Sequence, residues 1–142
     1  MSATTGPVRD DTAVRAIMRG PLAEIDWDTS LRDAARELTS GEIGLLVVVR
    51  RRTTVGVLSE RDLTGALAAG LDPDDTIALD VMTTEIVSVD AEDRVREAAE
   101  AMLEAGTRHL LVTRAGVPAG ILSMRDVLDA VVVQIRLLSA QP

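Results

Sequence analysis

The sequence contains no cysteine, no phenylalanine and no tyrosine, and a single tryptophan, Trp27. Without cysteine there is no disulfide, no thiolate nucleophile and no Cys-ligated metal. One histidine, His109, argues against a zinc site, which gathers several nitrogen or sulfur ligands. Lysine is also absent, and all fifteen basic residues are arginine. This Ala-, Arg- and Asp-rich, Lys-free composition suggests a GC-rich bacterial genome. Acidic residues outnumber basic ones, and the net charge of −8 opposes binding to nucleic acid or anionic lipid. No apolar run reaches the ~20 residues that cross a bilayer. The start, Met1–Asp11, is short and polar without a signal-peptide apolar region, so a cytoplasmic protein is expected.

What is present is an aliphatic core. Hydrophobic residues make up 46% of the 142, so Val, Leu, Ile, Ala and Met must fill a packed interior. The chain also repeats itself. Shifted by 64 residues, Ile17–Leu67 falls on Val81–Val131 without a gap. Met18 meets Met82, Asp26 meets Asp90, and Arg32, Ala34 and Ala35 meet Arg96, Ala98 and Ala99. Leu46, Val48 and Arg50 meet Leu110, Val112 and Arg114. Gly56, Leu58, Ser59, Arg61 and Asp62 meet Gly120, Leu122, Ser123, Arg125 and Asp126.

Each copy predicts the same elements in the same order. A short extended piece (Leu22–Ile25; Ile86–Val89) precedes an amphipathic helix (Leu31–Ser40; Val95–Ala105). In these helices Leu31, Ala34, Ala35 and Leu38, and Val95, Ala98, Ala99 and Met102, follow helical spacing. An apolar strand (Leu45–Val49; Leu110–Thr113), a polar turn and a second strand (Val55–Leu58; Ala119–Leu122) follow. A second helix begins after Ser59 and after Ser123. The unit is β-α-β-β-α and the class α+β. The expected division is 8–70, a linker 71–79 carrying the turn signal Gly70-Leu-Asp-Pro73, and 80–138. A unit of about 60 residues buries too little apolar surface to be comfortable alone. Two pseudo-twofold-related copies packed through their sheets are therefore expected. The last helix is apolar on most faces (Val127, Leu128, Val131, Val132, Val133, Ile135, Leu137, Leu138), which predicts burial in the core or at a homodimer interface.

Paired units of this kind, each closing with Gly-x-x-Ser-x-x-Asp before a helix, resemble the CBS-domain family. Gly56-Val-Leu-Ser-Glu-Arg-Asp62 and Gly120-Ile-Leu-Ser-Met-Arg-Asp126 carry the resemblance. So do Val81-Met-Thr-Thr84 and Gly106-Thr-Arg-His-Leu-Leu-Val112, and it covers roughly Val14–Leu138. It implies a regulatory pair that binds an adenosine-containing ligand (AMP, ADP, ATP or S-adenosylmethionine) in clefts between the repeats, with no obligatory cofactor. Carried over, Asp62 and Asp126 hold ribose hydroxyls, and Ser59 and Ser123 lie on the phosphate side. Adenine rests on backbone near Gly20–Leu22 and Thr84–Ile86. Arg108 and His109 stand where related proteins place phosphate-facing basic groups; in the first copy those positions are Gly44 and Leu45, so the two clefts should differ.

The chemistry is consistent with this. A strand running into a helix at Ser59 or Ser123 presents unpaired N–H groups and the positive end of the helix dipole to an anion. A carboxylate accepts two hydrogen bonds from a diol, and Arg61 and Arg125 can add charge-assisted bonds to phosphate. An alternative stays open at every point. Ser-x-x-Asp is also a helix-capping pair that needs no ligand. Arg108 reads equally as a surface arginine and His109 as a half-buried histidine. Arg50-Arg51-Arg52 reads as a solvated turn or, less simply, as a contact for polyphosphate. Met18, Met82 and Met102 read as core filler. Trp27 reads as packing at the edge of the first helix or as a stacking surface. Two features oppose nucleotide: Leu46-Val47 and Leu110-Leu111 stand where nucleotide-binding members of the family it resembles often carry Leu-Pro, at the start of the middle strand, and the net charge is negative.

Three functions follow in order. The first is a ligand-sensing module that signals to a separate protein partner. The second is a ligand-free scaffold or dimerisation protein. An enzyme is not expected, because no Cys or Tyr, no Ser/His/Asp order and no Walker-type loop are present.

Overall fold

The computed structural model describes residues 11–41 and 43–140. Residues 8–10 of the expected first repeat, and the polar start before them, lie outside the described residues. Strand β1 (Glu24–Asp26), helix α1 (Leu31–Gly41), strands β2 (Leu45–Arg50) and β3 (Thr53–Ser59) and helix α2 (Glu60–Ala68) form one series. A short helix α3 (Ala78–Val81) leads to β4 (Ser88–Asp90), α4 (Val95–Ala105), β5 (His109–Arg114), β6 (Val117–Ser123) and α5 (Met124–Ser139). The β-α-β-β-α order is as the sequence predicts; the hairpin strands are longer by one to three residues because the hairpin continues past the apolar stretch, and the first strand of each series is one residue shorter than expected.

Two three-stranded sheets result, β1-β2-β3 and β4-β5-β6. In each, the first pair is parallel and the second antiparallel. Their registers coincide under the 64-residue shift: Ile25 faces Val48 and Val89 faces Val112; Leu46 faces Leu58 and Leu110 faces Leu122. Both hairpins slip register at the same step, Val48/Val49 and Val112/Thr113. Both turn on two residues with positive φ, Arg51 and Arg52 in the first and Ala115 and Gly116 in the second. That geometry is the tight hairpin turn whose twist matches the strands. Gly116 adopts it without a Cβ clash, whereas Arg52 holds it at a steric cost. The arginine run is therefore a solvent-facing hairpin tip, with Arg50 stacked 4.6 Å from the centre of the half-buried Trp27 ring.

The chain forms two compact units, and they cut across the sequence repeats. One is Leu22–Ile86; the other joins the described residues up to Pro21 with those from Val87 onward. Each unit thus carries a strap from just ahead of the other repeat. The two straps are bound alike. In one unit Ala78 N–H donates to Thr29 O at 2.8 Å and Leu79 N–H to Trp27 O at 3.0 Å. In the other, Val14 N–H donates to Asp93 O at 2.8 Å and Arg15 N–H to Ala91 O at 2.9 Å. The cores match position for position. Ile25, Leu31, Ala34, Leu38, Leu46, Val48 and Leu58 close over Ala78. Val89, Val95, Ala98, Met102, Leu110, Val112 and Leu122 close over Val14. Met102 is buried in the second core, and Met18 and Met82 pack against the two cores from the straps.

Local signals end the helices where expected. Ser30 Oγ accepts from Asp33 N–H at 3.1 Å at the start of α1. Gly106 ends α4 in the left-handed conformation, φ 66°. Arg32 on α1 holds the Asp74 carboxylate of the inter-repeat stretch with two hydrogen bonds, and this donation keeps that carboxyl below its ordinary range. No helix among the described residues is long and apolar enough to cross a membrane. Along α5, Asp126, Val127 and Ala130 are buried, but Leu128, Val131, Val132, Val133, Ile135, Leu137 and Leu138 are exposed.

Candidate functional site

Within each unit the second hairpin strand runs straight into a helix, and the residue at the junction is serine. Ser59 caps α2 and Ser123 caps α5, both in extended conformation. Asp62 and Asp126, three residues on, complete reciprocal capping boxes. Ser59 N–H donates to Asp62 Oδ2 at 2.9 Å, and Asp62 N–H donates back to Ser59 Oγ at 3.3 Å. Ser123 N–H donates to Asp126 Oδ2 at 2.9 Å, and Asp126 N–H to Ser123 Oγ at 3.1 Å. The capping alternative is thus realised in both copies. It uses Oδ2 of each carboxylate and leaves Oδ1 for another donor.

That second donor comes from the strap. Met82-Thr83 lies against β3, where Thr83 and Val57 exchange backbone hydrogen bonds of 2.8 and 2.9 Å. Met18-Arg19 lies against β6, where Arg19 and Ile121 exchange two of 2.9 Å. The straps come this close only because Gly56 and Gly120 lack a side chain. A Cβ at Gly56 would stand 2.9 Å from Thr83 O, and one at Gly120 would stand 2.8 Å from Arg19 O. The glycines of the two Gly-x-x-Ser-x-x-Asp motifs are therefore packing requirements of the strap. The residue that follows methionine then meets the motif carboxylate. Thr83 Oγ1 lies 3.2 Å from Asp62 Oδ1, whereas Arg19 Nε donates to Asp126 Oδ1 at 2.8 Å. Asp126 is 7% exposed, and Asp62 is only half-buried.

The remaining predicted residues divide by unit. Around the start of α5, His109 opens β5 opposite Ser123, and Arg108 O accepts from Met124 N–H at 2.8 Å. Arg125 is exposed beside Asp126. His109 is half-buried; its N–H reaches Thr107 Oγ1 at 3.4 Å, and its carbonyl accepts from that hydroxyl at 3.1 Å. Gly20 follows Arg19 on the strap, with Ala119 O 3.4 Å from where its Cβ would stand. Arg108, His109, Ser123, Arg125, Asp126 and Gly20 therefore belong to one unit. Ser59, Arg61, Asp62 and Thr84 belong to the other, where Arg61 and Thr84 are exposed. Among the described residues Arg61, Arg108 and Arg125 form no ion pair. Beside the Arg19–Asp126 pair is an open groove of about 300 Å³ lined by Ile17, Asp129, Ala130 and Val133. No group of three or more His, Asp or Glu among the described residues could hold a metal ion.

Sequence reasoning missed Arg19 and Thr83. The signal was present: they fall on each other in the 64-residue shift, directly after the matched methionines.

Two repeated β-α-β-β-α series, each closing on a strand-to-helix turn with Ser and Asp, define a tandem pair of small α+β domains. The CBS domain profile matches residues 14–69 and 72–133, and the chain belongs to the CBS-domain family. It is 32% identical over 124 residues to an uncharacterized protein of Methanopyrus kandleri, covering 82% of this chain and 63% of that protein's length. An uncharacterized 17.7 kDa protein of Acidianus ambivalens is 32% identical over 121 residues, covering 84% of this chain and 73% of the other. Among solved structures, a conserved protein from Pyrococcus horikoshii superposes with a TM-score of 0.82 at 23% identity, over 87% of this chain and 94% of that one. A CBS domain protein from Pyrobaculum aerophilum complexed with AMP superposes with a TM-score of 0.78 at 28% identity, over 91% of this chain and all of the other.

Proposed function

We propose that the chain is a regulatory sensor, acting in the cytoplasm without catalysis of its own. It binds an adenine nucleotide at the Ser-x-x-Asp helix starts and signals to a protein partner. The repeats that do this are those the sequence delimits, 8–70 and 80–138 across the linker 71–79. The observation that carries the reading is the AMP complex of the 28%-identical Pyrobaculum protein, whose fold covers 91% of this chain. The helix starts supply suitable chemistry: a carboxylate for a ribose diol, and N–H groups and Arg61 or Arg125 for phosphate. Arg108 and Arg125 near Ser123 offset the acidic net charge locally.

Calorimetric titration with AMP, ADP, ATP and S-adenosylmethionine tests this, with the double variant Asp62→Glu/Asp126→Glu alongside. Glutamate is the usual third residue of a capping box, so the helices keep their caps while the carboxylates move by a methylene. Micromolar binding is expected in the native chain and a loss of at least tenfold in a variant that still melts cooperatively. Equal affinity in both would place the ligand elsewhere, and no heat with any nucleotide would end the nucleotide reading.

A second reading, a ligand-free scaffold, is favoured by the completed capping boxes, which use both aspartates without a ligand. Both readings share a homodimer. Leu128, Val131, Val132, Ile135 and Leu138 fall on one stripe of α5 and are 39% to 60% exposed. A second copy of the same helix is the occupant we propose. Sedimentation equilibrium should give twice the chain mass, and Ile135→Asp should give the monomer; a native monomer refutes it.

A further inference from the structure

We infer that Arg19 is an intrachain latch on Asp126 that makes the two nucleotide sites unequal, so that the Asp62 site fills first. The inference rests on the nucleotide reading proposed above. It comes from a comparison internal to the molecule. The two motif carboxylates share the same capping bond on Oδ2, at 2.9 Å in both units. They differ in what holds Oδ1, and the difference is one residue at one repeat position.

At Asp62 the partner is Thr83, a neutral hydroxyl 3.2 Å from Oδ1 and 3.4 Å from Oδ2. Thr83 is exposed, so its hydroxyl turns to water without loss. A ribose diol arriving at Asp62 displaces a weak, long bond between neutral and charged groups. At Asp126 the partner is a guanidinium at 2.8 Å, within the range of charge-assisted bonds. The carboxylate there is 6% exposed, whereas the arginine is 67% exposed. Water therefore competes poorly for the acceptor, and the ion pair is stronger than one free in solvent. The strap fixes Arg19 in place, since its own N–H and C=O are both bonded to Ile121 at 2.9 Å. A diol at Asp126 must break that pair and leave a buried anion with two neutral donors instead of a cation. The diol's bonds are also made to a charged acceptor, but they lack the attraction between opposite charges that the guanidinium adds.

The exchange of one residue for its repeat counterpart tests this directly. AMP and adenosine are titrated into the native chain, Arg19→Thr, Arg19→Gln and Thr83→Arg, each first checked for a cooperative melt. The native chain is expected to bind with one tight site per chain, abolished by Asp62→Glu and retained in Asp126→Glu. Arg19→Thr and Arg19→Gln should each add a second site, tightened about tenfold or more, as the loss of one charge-assisted competitor implies. Thr83→Arg should weaken the first site by about tenfold. The latch is refuted, with the nucleotide reading intact, by two equal sites in the native chain or by no gain in either Arg19 variant. If no protein binds either ligand, the nucleotide reading falls and takes the latch with it.

Discussion

Gly120→Ala should lower the melting temperature by about 6–12 °C, and Gly56→Ala should do nearly as much. A Cβ on Gly120 stands 2.8 Å from Arg19 O and 3.1 Å from Met18 Sδ. A methionine side chain can move aside, but the carbonyl cannot, because it accepts from Ile121 N–H at 2.9 Å. The strap must lift, both backbone bonds of the Arg19–Ile121 bridge lengthen, and Arg19 is carried away from Asp126. Overpacking of this kind costs about 3 kcal/mol, and in a chain of this size each kcal/mol moves the midpoint by about 2–4 °C. At Gly56 the same holds for Thr83 O at 2.9 Å, with Met82 Sδ nearer still at 2.7 Å. Gly65→Ala provides a control of opposite sign. It lies within α2 with nothing within 4 Å of its Cβ. There alanine should stabilise by about 0.5–1 kcal/mol, because glycine is a poor helix residue. Circular dichroism melts of the three variants check the set. A Gly120→Ala midpoint within 2 °C of native would mean that the strap does not depend on the missing side chain.

The same glycines mark where the sequence was readable and where it was not. The repeat, the strand pairs and the two long helices were legible because periodicity reports which side of an element is buried. Leu31, Ala34 and Leu38 line up in sequence, and they are buried in the structure. Periodicity does not report against what. Val14 and Ala78 are apolar residues ahead of the first strands β1 and β4, and nothing local in the sequence tells that each completes the core of the other series. Arg19 was overlooked for the same reason: its partner Asp126 lies 107 residues away. The last helix shows the converse. Its apolar residues announced burial, yet seven of those named are exposed, because Met124, Val127 and Ala130 at its start make the contact with their own unit. The rest of that apolar surface is what the homodimer proposed above would cover. The motif residues were legible as a pattern but ambiguous in purpose, since Ser-x-x-Asp describes a helix cap and a ligand site equally well.

Asp126→Ala and Asp62→Ala separate those purposes, because their stability costs should differ. Removing Asp62 deletes the acceptor for Ser59 N–H and a long contact with the exposed Thr83, a loss of about 1 kcal/mol typical of a helix cap. Removing Asp126 deletes the equivalent acceptor for Ser123 N–H and also the Arg19 bond, in a position 7% exposed. Arginine is largely solvated and regains water, so the additional cost is about 1 kcal/mol rather than that of a fully buried pair. Asp126→Ala should therefore destabilise by about 2 kcal/mol, roughly twice the effect of Asp62→Ala, in urea melts with unchanged slope. A double-mutant cycle with Arg19→Thr isolates the extra part, which should appear as about 1 kcal/mol of coupling and vanish in the cycle of Asp62→Ala with Arg19→Thr. Equal costs for the two aspartates would leave both as simple caps. Unequal costs with that coupling would mean that Asp126 has an ion pair to give up, whereas Asp62 has only a long contact with a hydroxyl. A carboxylate accepts at about four positions, so a cap on Oδ2 does not preclude a ligand. The two roles compete hardest where a cation holds Oδ1, and in this chain that is so at Asp126, whereas at Asp62 a neutral hydroxyl holds it.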